Sequence, residues 1–362
     1  MCEAVSRSLL AMAIAAMAPA ACAGQGVGHV RADSGFAATV ARLSEPGGYF
    51  DTDNLISNEA SYLHAVGALR DPALKGGVYI GVGPDQNFSY IAHLEPRRAV
   101  IVDIRRDNML LHLLFKSLFA LSGDRMEYLR LLFGRPPPAT TGAIVDLAAM
   151  LDLLEATPAT DESIARARRA TDSAIARFGV PLSDDDRATI DRFHRTFIAA
   201  GPSLRFSSFG RAPRAIYPSY RDLLLERDLD GRPASYLATE EAFRVVRDLQ
   251  RQDRVIPIVG DFAGPHALRA VGDYLRERGE EVVAFYTSNV EFYLFRDGGF
   301  QRFVENVGTL PRRSPAVVVR SVFRGPAPRV AGYYSAQLVR PLESLISRPV
   351  ASYWDLVMSD SR

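Results

Sequence analysis

The sequence predicts an α/β fold: a doubly wound, mostly parallel sheet with a helical insertion. Three observations predict it. Short apolar runs (Val78–Gly81, Ala99–Asp103, Val255–Val259, Val282–Tyr286, Ala316–Arg320) alternate with segments of helical length. The first run ends in Gly81-Val82-Gly83 and the second in Asp103, as a nucleotide-binding β-α-β unit reads. From Thr140 to about Ala200 the apolar spacing is helical throughout.

Taken in order, the chain begins with a leader-like stretch. Arg7 precedes the apolar run Leu9–Met17, and small residues around Ala20, Ala21 and Ala23 offer a cleavage point. Residues 1–23 are thus expected to be a signal peptide, and Cys22 a possible lipid anchor. The protein is then exported, to the periplasm or a membrane anchor. If the start codon is misassigned, it is cytoplasmic.

Residues 24–50 read as a linker with a short helix at Phe36–Leu43, broken by Pro46-Gly47-Gly48. Ser57 or Asn58 is placed to cap a helix carrying Ala60, Leu63, Val66 and Leu69. Phe88, Tyr90, Ile91 and Leu94 suit a helix on the sheet, and Asn108–Leu121 is apolar nearly all round, hence buried. Residues 51–135 form the first part of the α/β domain, 136–235 the mainly helical insertion, 236–325 the second part, and 326–362 a C-terminal extension. In the second part, Leu268–Arg278 is an amphipathic helix closed by Gly279, and Val290–Phe303 starts as a helix.

Composition narrows the function classes. The 362 residues are 48% hydrophobic and 23% charged, ordinary for a globular protein. The net charge of +1 gives no field that favours nucleic acid. Cys2 and Cys22 are the only cysteines, so the body holds no disulfide or cysteine-rich metal site. The six histidines lack ligand spacing, so no metal is expected. No stretch is long and apolar enough for a transmembrane span. Ser207, Ser208 and Ser288 lack a nucleophile-elbow context, which argues against a serine hydrolase.

The chemistry is expected at the strand tips, since ligands of open α/β sheets bind beyond the carboxyl ends of the strands. Gly81 and Gly83 would let the backbone approach a ligand. Asp103 suits a ribose diol; Asp261 suits an adenine amino group, with Phe262 offering an apolar face to the base. Each has a plainer reading, as a tight turn or a helix cap. Gln86 stands where a third glycine would complete the dinucleotide turn, which disfavours an oxidoreductase.

Together, Val78-Tyr79-Ile80-Gly81-Val82-Gly83, Val102-Asp103 and Val259-Gly260-Asp261-Phe262 resemble the cofactor-binding tips of the class I S-adenosylmethionine-dependent methyltransferase fold. The organisation also resembles a family of uncharacterised bacterial proteins often labelled lipoproteins. The resemblance covers roughly residues 50–120 and 235–325 and implies a Rossmann-like domain. It implies Gly81 and Gly83 on the methionine side of S-adenosyl-L-methionine, Asp103 at the ribose, and Asp261 with Phe262 at the adenine. Tyr79 and Asp85 depart from the pattern, which has an acid two residues before the first glycine and a small residue at the third turn position.

Asn289 and Glu59 are the candidate catalytic residues, Asn289 after the fourth strand and Glu59 in the segment leading to the first. Both have a plainer reading as capping residues. The expected function is methyl transfer to an unknown acceptor. The alternative is an exported or lipid-anchored, non-catalytic Rossmann-like binding protein.

Overall fold

A computed structural model describes residues 35–52, 54–138, 145–208, 214–323, 329–347 and 349–360. The expected signal peptide, Cys22 and the start of the linker lie outside the described residues. Six strands form one sheet: β1 (Val78–Gly81), β2 (Arg98–Asp103), β3 (Val255–Val259), β4 (Val282–Ser288), β5 (Arg312–Val322) and β6 (Ala336–Pro341).

The strand order is β3-β2-β1-β4-β5-β6. Neighbours from β3 to β5 are parallel, and β6 is antiparallel to β5. The protein is thus an α/β structure with a mostly parallel sheet. From β1 the chain steps outward to β2 and β3, then returns to β4 on the other side. Where the order reverses, between β1 and β4, connections diverge and leave a crevice beyond the carboxyl ends. Every residue of β1, β2 and β3 is buried, which explains why these strands read as unbroken apolar runs. Pro257 fits because β3 is an edge strand, whose outer backbone groups lack a ladder partner.

Helix Arg106–Leu121 is the spine of the molecule, packing on β3 and on helices Asp161–Arg177, Asp184–Ala200 and Glu240–Arg251. Its buried run from Asn108 to Phe119 accounts for the all-round apolarity of that stretch. Each buried leucine there contributes roughly 1.5–3 kcal/mol. Lys116 is buried on the same helix and stays paired, its Nζ lying 2.7 Å from Asp253 Oδ1. The insertion forms helices Leu147–Ala156, Asp161–Arg177 and Asp184–Ala200, each begun by an oxygen-bearing cap at Asp146, Thr160 or Ser183.

Four local expectations change. Ser57 caps no helix: its Oγ accepts from Glu59 N, and the first turn begins at Tyr62 as a 3₁₀ helix. Glu59 is anchored to the sheet end, and Ser61 Oγ lies 2.7 Å from Ser335 Oγ, which keeps this stretch from coiling earlier. The Val290–Phe303 helix is two helices, Val290–Arg296 and Phe300–Gly308. Gly298 takes φ +71° and Gly299 N donates back to Leu294 O at 2.7 Å, closing the first. A helix at Arg125–Leu132, capped by Asp124, fills a stretch with no expected element. The C-terminal segment extends the sheet as β6, and Val322, Ala336, Leu338, Tyr353 and Val357 form a small second core under helix Tyr353–Asp360.

Candidate active site at the strand tips

The β1 tip is shaped by an asparagine that the sequence reading passed over. Asn87 Nδ2 donates to the carbonyls of Val82 (2.9 Å), Gly83 (3.2 Å) and Pro84 (2.7 Å), while Tyr79 Oη donates to Asn87 Oδ1 at 2.7 Å. His112 adds its Nε2 at 2.9 Å from Gly83 O, and burial lowers its pKa to about 4. Three consecutive carbonyls are therefore turned inward.

The two glycines of this turn have different reasons. A Cβ at Gly81 would stand 2.0 Å from Asn87 Oδ1 and 2.6 Å from Tyr79 Oη, so packing behind the sheet end requires glycine there. Gly83 has φ +84°, a left-handed backbone, and lines the crevice.

A strap laid by residues 44–52 and 54–59 crosses the strand tips. Glu45 N donates to Val259 O at 2.9 Å, Gly48 N to Ile104 O at 2.8 Å, and Arg105 Nη1 to Thr52 O at 3.1 Å. Glu59 then docks at the end of β4. Between the strap, the strand tips and Phe206, Ser208 and Tyr217 lies a cavity of about 640 Å³. That is large enough for a small-molecule ligand.

Six of the seven sequence-chosen residues line this cavity: Glu59, Gly83, Asp103, Asp261, Phe262 and Asn289. Gly81 lies behind it. Their surroundings differ from what the sequence suggests. Asp103 is 4% exposed and held by Arg105: Nε and the backbone N donate to Oδ1 (3.0 and 2.9 Å) and Nη2 to Oδ2 (2.8 Å). A carboxylate has about four acceptor positions, so roughly one remains on Oδ2. Asp261 Oδ1 accepts from Ala263 N at 2.9 Å, forming a local turn. Phe262 is buried and stacks on Phe303, with centroids 5.5 Å apart. At the start of helix Ala267–Arg276, Glu45 accepts from the backbone N of Asp261, His266 and Ala267.

Across the cavity, Glu59 is 2% exposed and accepts from Tyr286 Oη (2.7 Å), Ser288 Oγ, Ser321 Oγ and Gln337 Nε2 (3.3 Å). Ser288 sits at φ +52°, unusual for a residue with a side chain, where β4 turns its tip toward Glu59. Asn289 Oδ1 is 3.5 Å from Ser288 Oγ, and Tyr293, on the same cavity wall, meets Phe50 edge-on at 4.9 Å.

Next to the cavity lies a closed cage around Asp85. Tyr220 Oη (2.6 Å) and Tyr236 Oη (3.1 Å) donate to Asp85 Oδ2, and Tyr128 stands 3.3 Å behind Tyr236. Burial pushes the Asp85 carboxyl up to about 6, against the two tyrosine bonds. The cage has about 10 Å³ of free space, room for roughly one water. Gln86 lines both cage and cavity, and its Oε1 has no hydrogen-bond partner.

Among the described residues, no cluster of three or more His, Cys, Asp or Glu could hold a metal ion. No helix among them is long and apolar enough to cross a membrane.

Fold and site define an α/β protein with a ligand-sized cavity where its strand order reverses. The chain belongs to the family described as Domain of unknown function (DUF7790), whose model matches residues 55–345. No curated protein matches the chain.

Proposed function

We propose that the protein is a methyltransferase-like Rossmann enzyme that binds S-adenosyl-L-methionine in this cavity and presents its methyl group to an acceptor. The observation that carries the reading is the shared cavity at the β1/β4 reversal. Gly83, Asp103 and Asp261 stand on one side of it, and Asn289 with Glu59 on the other. The first three suit a nucleoside; the remaining volume leaves space for a second molecule. Methyl transfer from a sulfonium needs mainly alignment of donor and nucleophile, which a preformed pocket supplies.

Arg105 refines the ribose contact. With three acceptor positions of Asp103 used, the carboxylate takes a single ribose hydroxyl, held in place by the arginine. The same pairing favours the second reading, a non-catalytic binding protein, because Asp103 is satisfied without a ligand.

Calorimetric titration of S-adenosylhomocysteine into the full chain tests both. Saturable binding, weakened about tenfold or more by Asp103→Ala and by Asp261→Ala, is expected. Heat equal to buffer dilution, with folded protein, would sink the cofactor reading. Cofactor binding without methyl transfer to any of a panel of amines, phenols and thiols selects the non-catalytic alternative.

A further inference from the structure

Buried carboxylates in this protein follow a pattern. Asp103, Asp186, Asp228, Glu280 and Glu291 are each paired with an arginine: Arg105, Arg106, Arg70, Arg98 and Arg320. Asp85 has none; burial raises its pKa to about 6 against the two tyrosine bonds. Glu59 is the exception, because no cation stands within ion-pair distance of it among the described residues, yet it faces the cavity.

All four donors to Glu59 are neutral. Two hydroxyls come from the end of β4 (Tyr286, Ser288), one from β5 (Ser321) and an amide from β6 (Gln337). Three of the four donate to Oε2, and only Ser288 donates to Oε1. Oε1 therefore keeps acceptor capacity. A second acceptor on the same wall lacks a partner: Gln86 is 6% exposed, and its Oε1 is buried and unbonded. Tyr286 Oη links them, lying 3.4 Å from Gln86 Nε2 and 2.7 Å from Glu59 Oε2. A wall offering spare acceptors and a carboxyl group with no cationic partner suits a group with several N–H donors and a positive charge.

The neighbouring surface is aromatic. From Glu59 the contacts run through Ser288 to Asn289, and Tyr293 on the same wall packs edge-on against Phe50 and Phe292. These rings line the cavity; the Arg296 guanidinium already lies over Tyr293, 5.1 Å from its centroid, so the aromatic wall serves the apolar body of a ligand. The arginines lining the cavity are already engaged: Arg105 by Asp103, Arg296 by Asp297, and Arg302 by the carbonyl of Ala263.

We infer that the β4–β6 side of the cavity is a cation subsite. It takes a primary or secondary ammonium on Glu59, with an aromatic or alkyl body along Phe50, Phe292 and Tyr293. On the proposed function the methyl acceptor is an organic amine: the bound ammonium would give one proton to Glu59, and the freed nitrogen lone pair would take the methyl group as the C–S bond of the sulfonium breaks and a neutral thioether leaves.

Three probes of one shape test it in the full chain at neutral pH: 2-phenylethylamine, 2-phenylethanol and phenylacetate. The ammonium is expected to bind at least about tenfold tighter than the alcohol, and the carboxylate not at all. Glu59→Gln should bring amine and alcohol to equal affinity. If that variant does not fold, the comparison of probes on the natural protein decides alone. Equal affinity for amine and alcohol, or no detectable binding of the amine, overturns the subsite. S-adenosylhomocysteine, titrated in parallel, keeps the two readings apart. Binding of it without amine preference defeats the subsite only, and amine preference without it defeats the cofactor reading only.

Discussion

Asp85 and Glu59 are two buried carboxylates without an arginine, on either side of Gln86, and they have opposite fates. Asp85 is enclosed by tyrosines, with space for about one water, and is pushed toward its neutral form. Glu59 has more donors, draws them from three strands, and opens on a ligand-sized cavity. The number of hydrogen bonds does not distinguish a structural acid from a binding one here. What lies on the open side of the carboxylate does.

The comparison breaks most visibly by removing Glu59 itself. Glu59→Leu strands four donors, of which Tyr286 and Ser321 are buried, and a loss of roughly 3–5 kcal/mol in urea unfolding is expected. A loss under about 1 kcal/mol would show that water already satisfies those donors. On the other side, Tyr220→Phe takes the shorter hydrogen bond from Asp85. It should cost about 1–2 kcal/mol near pH 8, where the acid is charged, and less near pH 4. Equal cost at both values would place the Asp85 titration outside this range.

The last test concerns pH, where two neighbours of the Gly83 turn oppose each other. The folded pKa of Asp85 is raised from 3.8 to about 6, so its contribution is complete below 3.8 and lost as pH rises through about 6. His112 is lowered from 6.5 to about 4, so its contribution is present above 6.5 and lost as pH falls toward 4. In the overlap the slopes offset. Asp85→Asn should leave stability rising with pH across this window, and His112→Gln should leave it falling. Unfolding midpoints at several pH values read the sign, and an unchanged slope in either variant contradicts the assignment.

Much of this was legible in the sequence, for a physical reason. Strands buried on both faces leave unbroken apolar runs, so β1 to β4 and the residues at their tips could be read directly. What could not be read is who holds those residues. Arg105 lies two positions after Asp103, but adjacency alone does not say whether an arginine folds back onto its neighbour or faces solvent. The partners of Glu59 lie 227 to 278 residues away, beyond any local pattern. Gly81 fitted a ligand-approach motif, yet its constraint is an asparagine behind the sheet. Asn87 carried the turn unnoticed, because an asparagine at a helix start reads first as a cap. β6 escaped because its burial alternates on an edge strand.

The strap of residues 44–52 and 54–59 also sets a timetable. Ile104 and Arg105, which it also meets, follow it closely in the chain, but Val259, Tyr286, Ser288, Ser321 and Gln337 are made more than 200 residues after the strap groups they hold. Contacts across more than 200 residues close slowly, since the intervening chain must first be ordered. All the residues that line the cavity are made by Arg302, but a nascent chain stopped before β6 leaves Glu59 without its Gln337 donor.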